Sequence, residues 1–315
     1  MLCSVVIPLY NKAAYIEATL ASVLAQTHAD WEVVVVDDGS TDDGPARVQA
    51  CLDPRVRLVR QANGGVSRAR NRGIAEARGE LVCFLDADDW YAPDYLRTQA
   101  GMALAYPAES YFATGFKGVT PGGDVRLADA PALPPQQVEV VDDFFARCNR
   151  QWLSFFTGSV AARRSALLAL QPCFPEGEQF GEDLDLWFRL AERHRLVQTA
   201  LPLVAYRLDV GGSLSAISGR DVVLPVFARL EQRARGWPAS DPARRPALLL
   251  VSNARVVVAR ELLEAGRRGA ALAEMGRAMR NGVTRHWCST AIMCLLFTPA
   301  MTRRWSLWRK SRIAA

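Results

Sequence analysis

The sequence predicts an α/β protein with a doubly wound, mostly parallel sheet and flanking helices, followed by a helical C-terminal region. From the start of the chain to about Tyr106, short apolar runs alternate with helical patterns, as in a sheet whose strands are joined by helices. These runs are continuous in Val, Ile and Leu, which is typical of strands covered on both faces. From about Asp221 onward the chain is rich in Ala, Leu and Arg and has a helical pattern.

Each element follows from its own pattern. Strands are expected at Ser4–Pro8, Trp31–Val36, Val56–Arg60, Glu80–Leu85, Phe155–Ala161, Leu196–Ala200 and Leu203–Leu208. Helices are expected at Ala13–Gln26, Val66–Ala77, Pro93–Ala105, Asp142–Cys148 and Glu182–His194. Residues Thr120–Pro135 are rich in Gly, Pro and Asp and are expected to form a surface loop. The predicted domains are residues 1–215, which carry the sheet, and the helical residues 216–315.

Composition excludes several classes of protein. With 315 residues, 50% of them hydrophobic, the chain has the means to bury a core and is not a disordered protein. The first residues enter an apolar stretch without a charged leader, which predicts that the chain begins in structure rather than in a secretory signal. The seven cysteines are scattered, with no Cys-x-x-Cys pair, which predicts reduced thiols in the cytosol rather than disulfides or a zinc site.

The basic charge belongs to the C-terminal tail. From Arg255 to Ala315, twelve Arg or Lys face three Glu, an excess of +9 that leaves −4 for the preceding residues out of a net +5. Aromatic residues and the apolar run Ala291–Phe297 are mixed into this tail, which favours peripheral contact with an anionic membrane over nucleic acid. No apolar span of 18 residues is present. Over Trp287–Met301, an interfacial helix and a core helix of a small bundle fit the pattern equally well.

Acidic residues follow two of the predicted strands, where a doubly wound sheet places its ligand. Asp37 and Asp38 end a buried strand and precede a Gly-Ser turn, so a carboxylate here is expected to accept hydrogen bonds from a nucleotide base or ribose. The competing explanation is an N-cap for the helix after Asp43. Ser40 or Asp42 alone would satisfy that cap, which favours a functional role for the Asp37–Asp38 pair.

A second acidic cluster contains Asp86 and Asp88. Carboxylates two residues apart in an extended segment point to the same side, so these two are expected to share one small cavity with a cation. Mg²⁺ or Mn²⁺ bound by one or two carboxylates and diphosphate oxygens would stabilise a leaving diphosphate. Asp-x-Asp is a common string that often forms only a solvated turn. Its position after a strand is what favours the metal.

A third cluster, Gly181 to Asp185, is expected to open a helix. Acidic residues are ordinary in a first helical turn, because they complement the helix dipole. Gly181 would let a ligand approach the backbone closely, as at a helix end that lines a cleft. A carboxylate at this position can take a proton from a hydroxyl.

Between the first two clusters, Gly64 and Gly65 precede a helix with Arg68, Arg70 and Arg72. Such a turn is expected to present amides and guanidinium groups to phosphates. It matches neither the dinucleotide fingerprint nor the P-loop.

Taken in order, these motifs resemble family 2 glycosyltransferases of GT-A fold. The resemblance covers about residues 2–210. Its segments are Val5-Val6-Ile7-Pro8-Leu9-Tyr10-Asn11, Ser22 to Thr27, Val36 to Asp42, Asn63-Gly64-Gly65, Ala69 to Gly73, Leu85 to Asp89, and Gly181-Glu182-Asp183 with Leu186, Trp187 and Arg189.

The resemblance implies a role for each matching residue. It implies an inverting enzyme that moves a sugar from a nucleotide diphosphate donor, with a UDP-sugar expected, to a hydroxyl. Asp183 would be the general base and Asp88 would contact the metal, Mg²⁺ or Mn²⁺. The residues implied in binding the nucleotide sugar are Pro8 and Tyr10 at the base, Asp38 at the base or ribose, Arg70, Asp86 and Glu182.

The acceptor is expected to be a cell-envelope glycan or lipid-linked saccharide, as in polysaccharide or lipopolysaccharide biosynthesis. The Gln-x-x-Arg-Trp motif and the transmembrane helices of processive members are missing, so transfer of one or a few sugars at the cytoplasmic face of the inner membrane is expected. One alternative is a catalytically inactive relative that binds a nucleotide sugar, against which Asp88 and Asp183 argue. Another is a sugar nucleotidyltransferase, but Leu9-Tyr10-Asn11-Lys12 lacks the glycines it needs.

Overall fold

The computed structural model describes residues 1–120, 127, 137–151, 153–178, 180–208 and 222–313. The chain divides into two compact units, Met1–Phe144 with Leu153–Ala216, and Phe145–Trp152 with Ile217–Ala315. Apart from Thr120 and Leu127, the predicted loop Thr120–Pro135 lies outside the described residues.

The first unit is built on one sheet. Its nine strands, within the described part of the chain, are β1 (Cys3–Leu9), β2 (Trp31–Asp37), β3 (Val56–Arg60), β4 (Leu81–Phe84), β5 (Trp90–Tyr91), β6 (Tyr111–Val119), β7 (Val138–Val141), β8 (Val160–Arg163) and β9 (Leu196–Arg207). The strand order is β3-β2-β1-β4-β8-β6-β9-β5, with β7 also paired to β9.

The sheet has a parallel half and a mixed half. Strands β3, β2, β1 and β4 are all parallel, so their carboxyl ends share one edge. Beyond β4, strand β8 runs antiparallel to both of its neighbours, β6 and β9 are parallel, and β5 and β7 pair antiparallel with β9.

Helices cover both faces of the parallel half. In β2, Val33 and Val35 pack into the main core with residues of the first helix, whereas Val34 and Val36 form a second cluster with Ala69. This is why β2 reads as an unbroken valine run, and the predicted α/β fold class is confirmed. The helices of this unit are α1 (Ala13–Leu24), α2 (Gly44–Gln49), α3 (Val66–Glu76), α4 (Tyr95–Ala105), α6 (Arg164–Leu168) and α7 (Glu182–Ala191), and α5 (Phe144–Arg150) begins at its boundary.

The mixed half differs from its prediction. Strands β5, β6 and β7 were not predicted, because they are short or carry glycine and polar residues, and pairing with distant strands supplies their stability. The two strands predicted at Leu196–Ala200 and Leu203–Leu208 are one strand, β9. The strand predicted at Phe155–Ala161 begins only at Val160, after a 3₁₀ turn at Thr157–Ser159.

The second unit is helical. After α5 it contains α8 (Pro225–Gly236), α9 (Arg244–Glu264), α10 (Arg268–Met279), α11 (Arg285–Leu296) and α12 (Pro299–Ile313). Its core joins α9, α10 and α11 through side chains that include Leu262, Met275 and Met293. Arg255 of α9 donates to Glu231 of α8 at 2.9 Å and to Glu274 of α10 at 3.0 Å, so an ion-pair network also ties these helices together.

Helix α11 presents apolar residues on two sides. Met293 and Cys294 are buried in the helical core, whereas Ile292, Leu295 and Leu296 are exposed. The helix ends before Pro299, so no continuous helix spans Trp287–Met301. Among the described residues, no helix combines the length and the apolar character that crossing a membrane requires.

Candidate active site

The predicted acidic residues lie at the carboxyl edge of the parallel half. Strands β1 and β2 end together, because Leu9 is the register partner of Asp37. Beyond that pair, the amide of Asp38 donates to the carbonyl of Leu9 at 2.9 Å, and the amide of Leu85 donates to the carbonyl of Val6 at 3.1 Å. The segments after β1, β2 and β4 therefore leave the sheet side by side, as the fold prediction requires.

The loop after β1 presents Tyr10 to solvent. Its side chain is 48% exposed, next to the half-buried Pro8. Asn11 follows with a φ of 50°, and its amide donates to Ser40 Oγ at 3.1 Å. The amide of Thr41 in turn donates to Asn11 Oδ1 at 2.8 Å. These bonds tie the loops after β1 and β2 together beneath an accessible aromatic ring.

Asp38 organises the turn that precedes α3. Its Oδ1 accepts hydrogen bonds from Gln61 Nε2 at 2.7 Å and from the amide of Gly64 at 2.9 Å. Its Oδ2 accepts from the amide of Gly65 at 2.8 Å. The expectation that the Gly64 and Gly65 amides face a phosphate is therefore wrong, because Asp38 already binds them. Since a carboxylate offers about four lone-pair positions, Asp38 keeps capacity for one more donor.

Asp37 and Asp42 form local turns. Asp37 Oδ1 accepts from the amide of Ser40 at 2.9 Å. Asp42 accepts from the amide of Gly44, the first residue of α2, at 3.0 Å and from the amide of Ala13 at 2.8 Å. Asp42 therefore serves the start of α2, and the contacts of Asp38 are not those of a helix cap.

Arg70 joins two of the predicted clusters. It lies on α3, is 5% exposed, and donates through Nη2 to Asp86 Oδ1 at 2.8 Å and through Nη1 to Glu182 Oε1 at 3.2 Å. By contrast, Arg68 is exposed and Arg72, 53% exposed, pairs with Glu76 of its own helix. Of the three arginines in this helix, Arg70 alone contacts the acidic cluster.

The charges around Arg70 are strongly coupled. Burial alone would lower the pKa of Arg70, but the carboxylates of Asp86 and Glu182 raise it. Burial raises the pKa of Glu182, the charge of Asp183 raises it further, and Arg70 opposes both effects. Arg70 therefore stays a cation that holds two acidic side chains, those of Asp86 and Glu182, in one place.

The Asp86–Asp88 geometry differs from the prediction. These residues are not extended, because the amide of Asp89 donates to the carbonyl of Asp86 at 3.1 Å and closes a turn. Asp86 pairs with Arg70, and Asp88 Oδ2 accepts from Lys12 Nζ at 2.6 Å. Two protein cations thus neutralise this pair.

Asp89 and Arg207 support the same turn from β9. The amide of Arg207 donates to Asp89 Oδ1 at 2.8 Å, and its Nε donates to the carbonyl of Asp88 at 2.9 Å. The Arg207 guanidinium lies 4.9 Å from the ring centres of both Tyr15 and Trp90. Burial, followed by the charge of Asp86, raises the pKa of Asp89 to about 9, so this carboxyl holds a proton at neutral pH.

Asp183 stands at the start of α7, as predicted. Gly181 precedes the helix with a φ of 74°, a backbone conformation that favours glycine. Asp183 Oδ1 accepts from the amide of Leu184 at 2.8 Å, and its Oδ2 accepts from Thr157 Oγ1 at 3.0 Å. The first carboxylates of α7 thus meet both Arg70 and the 3₁₀ turn before β8.

Sequence reasoning gave no role to four residues of this site. They are Lys12, Asp89, Thr157 and Arg207. Asp89 stood inside a quoted acidic run, and a third carboxylate beside a strand end was the available signal. The other three come from separate segments, so only the folded chain shows that they touch Asp88, Asp89 or Asp183.

The donor atoms suit a hard cation. In the part of the chain that the structure describes, no three His, Cys, Asp or Glu side chains converge on one metal position. Mg²⁺ and Mn²⁺ prefer oxygen, and in phosphate-transfer sites one or two carboxylates hold Mg²⁺ together with substrate oxygens and water. Asp86 and Asp88 provide carboxylates of that kind.

Comparisons with known proteins agree with this geometry. Residues 4–168, more than half of the chain, match the model of Glycosyl transferase family 2. An uncharacterized glycosyltransferase of Nostoc sp. is 34% identical over 178 residues, which cover 56% of this chain and 55% of that protein. An uncharacterized glycosyltransferase of Escherichia coli, YibD, is 45% identical over 103 residues, 32% of this chain and 30% of that protein. The matched regions thus span about half or less of these relatives.

Solved structures show the same fold. Staphylococcus aureus TarS 1–349 in complex with UDP-GlcNAc superposes with a TM-score of 0.67 and 19% identity, over 91% of this chain and 83% of that one. The mannosyltransferase PcManGT of Pyrobaculum calidifontis, in complex with GDP-Man and Mn²⁺, gives a TM-score of 0.55 and 20% identity, over 99% and 85%. The predicted GT-A fold is confirmed. The chain belongs to glycosyl transferase family 2.

Proposed function

We propose that this protein is an inverting glycosyltransferase that moves a sugar from a nucleotide diphosphate donor to a hydroxyl acceptor. The observation that carries the proposal is the bridge made by Arg70, which binds Asp86 at 2.8 Å and Glu182 at 3.2 Å. This bridge brings the expected diphosphate motif and the expected base motif together around the buried Arg70. Such convergence of perturbed charges at a strand edge is typical of an active site.

The parallel half supplies the donor site. Tyr10 offers an accessible ring for the base, with Pro8 beside it, and Asp38 retains a lone pair for a base or ribose donor. A UDP-sugar is favoured, because TarS, the neighbour with the higher TM-score of the two described above, holds UDP-GlcNAc. Arg70 contributes positive charge where the diphosphate would lie.

Asp88, with Asp86, would hold Mg²⁺ or Mn²⁺. The ion supplies positive charge to the leaving diphosphate. Lys12 contacts Asp88 Oδ2 at 2.6 Å and therefore competes with the ion for this carboxylate, and binding of the ion at that oxygen would free the lysine. The freed ammonium group then lies within the same cleft, where a diphosphate is an alternative partner.

Asp183 would act as the general base. It takes the proton of the acceptor hydroxyl while the oxygen bonds to the anomeric carbon. The bond from that carbon to the diphosphate oxygen breaks at the opposite face, and the diphosphate leaves with the electron pair. Thr157, which donates to Asp183 Oδ2 at 3.0 Å, fixes the carboxylate so that Oδ1 and the remaining lone pair of Oδ2 are oriented.

The acceptor in this proposal is a cell-envelope glycan or lipid-linked saccharide at the cytoplasmic membrane face. Helix α11 exposes an apolar stripe, with Ile292 53%, Leu295 72% and Leu296 70% exposed. Arg303 and Arg304 follow, exposed, on α12. An apolar stripe next to basic residues fits the surface of an anionic bilayer.

Vesicle sedimentation tests this membrane contact. Phosphatidylglycerol vesicles at low salt should bind the wild type, and Leu295→Ser with Leu296→Ser should weaken binding. Neutral phosphatidylcholine vesicles should bind weakly. Equal binding of wild type and double variant to both vesicle types would contradict the contact.

Thermal unfolding tests the function. The wild type is heated with UDP, dTDP, GDP or CMP, each with and without Mn²⁺, and compared with Asp88→Asn. A ligand that binds only the folded state raises the melting temperature. We expect UDP with Mn²⁺ to give a shift that Asp88→Asn loses and that Asp142→Asn, a surface variant with an 82% exposed side chain, retains. No shift with any nucleotide would contradict the proposal.

A further inference from the structure

Three aromatic rings meet beside the candidate active site. Phe116 and Phe156 have ring centres 4.9 Å apart, Phe156 and Tyr206 are also 4.9 Å apart, and Phe116 lies 6.3 Å from Tyr206. The interplanar angles, 62° to 83°, are those of edge-to-face contacts. Phe116 lies on β6, Phe156 directly precedes the 3₁₀ turn, and Tyr206 lies on β9. We call these three residues the aromatic platform.

Two residues of the platform are chain neighbours of residues that contact the site. Phe156 directly precedes Thr157, whose hydroxyl donates to Asp183 at 3.0 Å. Tyr206 directly precedes Arg207, whose Nε donates to the carbonyl of Asp88 at 2.9 Å. The rings are therefore one residue removed from the contacts of the proposed base on one side and of the diphosphate motif on the other.

The platform is accessible, unlike the core aromatic cluster. Phe84, Phe174 and Trp187 also make edge contacts, but each is at most 1% exposed. Phe116 is 37% exposed, and the other two platform rings are partly exposed. An apolar surface of this kind that opens beside charged groups is typical of a ligand site.

One ring of the platform packs closely against the local backbone. A Cβ atom on Gly158 would lie 2.6 Å from the Phe156 ring, a distance at which one of the two must move. Glycine at this position therefore lets the ring pack against the backbone two residues later.

We infer that the aromatic platform binds the apolar face of the acceptor sugar and turns its hydroxyl toward Asp183. The negative face of an aromatic ring attracts the positively polarised C–H groups on one side of a pyranose. A saccharide is the ligand that needs both an aromatic surface for its C–H face and a nearby carboxylate for its hydroxyl. This inference rests on the proposed glycosyltransferase function and names where its acceptor lies.

Saturation-transfer NMR on the full chain tests the inference. The probes are methyl glycosides of glucose, galactose, mannose and N-acetylglucosamine, and octyl glucoside below its micelle concentration, each added with UDP and Mn²⁺. We expect transfer to the ring C–H protons of at least one glycoside in the wild type and in Phe116→Tyr. The affinity should fall about fivefold in Phe116→Leu, which keeps an apolar side chain but loses the ring. Leu104→Ala is the control, because Leu104 is an exposed residue of α4, 66% exposed, and its glycoside affinity should equal that of the wild type.

Three outcomes would overturn the platform. The first is equal glycoside affinity in Phe116→Leu and wild type. The second is no glycoside signal at all while UDP still raises the melting temperature. The third is transfer confined to the octyl chain, which would assign the rings to a lipid. If UDP did not raise the melting temperature of the wild type, the proposed function itself would be refuted. The two failures are therefore distinguishable.

Discussion

The two halves of the sheet differ in how they carry the site. In the parallel half, strands β1, β2 and β4 end side by side, and the residues after them form the proposed donor site. In the mixed half, the 3₁₀ turn, α7 and β9 contribute Thr157, Asp183 and Arg207 from distant segments. Arg70 connects the halves through Asp86 and Glu182. Under the proposed function, the parallel half binds the nucleotide, while the mixed half places the base and the acceptor.

The largest effect should follow from removing the base in the mixed half. Asp183→Asn keeps the size of the side chain but cannot take a proton, so transfer should fall by about 10²- to 10⁴-fold. Steady-state kinetics with radiolabelled donor measures the loss. The melting-temperature shift caused by UDP with Mn²⁺ should stay as in the wild type. A variant with more than a tenth of wild-type activity would show that another group is the base.

Breaking the link between the halves should cost stability. Arg70→Met leaves the buried Glu182 and the half-buried Asp86 without their cation, and breaking a buried pair costs about 3–5 kcal/mol. Urea unfolding measures the change in the free energy of unfolding. Arg72→Met, on the same helix at a 53% exposed side chain, is the matched control and should change it by less than about 1 kcal/mol. Equal losses in the two variants would contradict the bridging role.

The turn from Asp86 to Asp89 should make the free energy of unfolding depend on pH. The carboxyl pKa of Asp89 is about 3.9 in an unfolded chain and about 9 in the folded protein. Between these values the folded state binds a proton that the unfolded chain lacks, so the free energy of unfolding falls as pH rises. Asp89→Asn removes this proton. From pH 6 to 8, the free energy of unfolding of the variant should rise relative to that of the wild type by up to about 1.4 kcal/mol per pH unit.

Urea unfolding in EDTA at several pH values measures this difference. Asp142→Asn should follow the wild type throughout, because that side chain is 82% exposed. If Asp89→Asn and wild type lose stability in parallel between pH 6 and 8, Asp89 is not the group that titrates.

The smallest effect should come from Lys12 in the parallel half. Its ammonium group competes with a cation for Asp88, so Lys12→Met should bind Mn²⁺ about two- to fivefold more tightly without nucleotide. Electron paramagnetic resonance of free Mn²⁺ reports the affinity. Lys117→Met, which removes an exposed lysine from β6, is the control. Unchanged or weaker Mn²⁺ binding in Lys12→Met would contradict the competition.

The parallel half was predictable because its signals are local. The valine run indicates strand β2, and the acidic residues directly after β2 and β4 indicate where each strand ends and where the candidate site lies. The contacts of Asp38 were not predictable, since they depend on where the Gly64–Gly65 turn folds back.

The mixed half resisted prediction because its signals are not local. Strand β6 carries two glycines and a lysine, and its pairing with β9 includes register shifts around Gly115. The aromatic platform likewise joins three segments between positions 116 and 206, and no spacing along the chain marks their meeting. Tertiary pairing, rather than local propensity, decides both features.

Calorimetric titration of UDP with Mn²⁺ tests most directly whether the parallel half, and not the mixed half, binds the nucleotide. The two variants are Tyr10→Ala, in the parallel half, and Asp183→Asn, in the mixed half. Tyr10 is 48% exposed, so its loss should leave the fold intact. Stacking of a base on an aromatic ring contributes about 1–3 kcal/mol, so Tyr10→Ala should weaken UDP binding by about five- to 150-fold while Asp183→Asn binds as the wild type does. Unchanged UDP binding in Tyr10→Ala together with a loss in Asp183→Asn would contradict it.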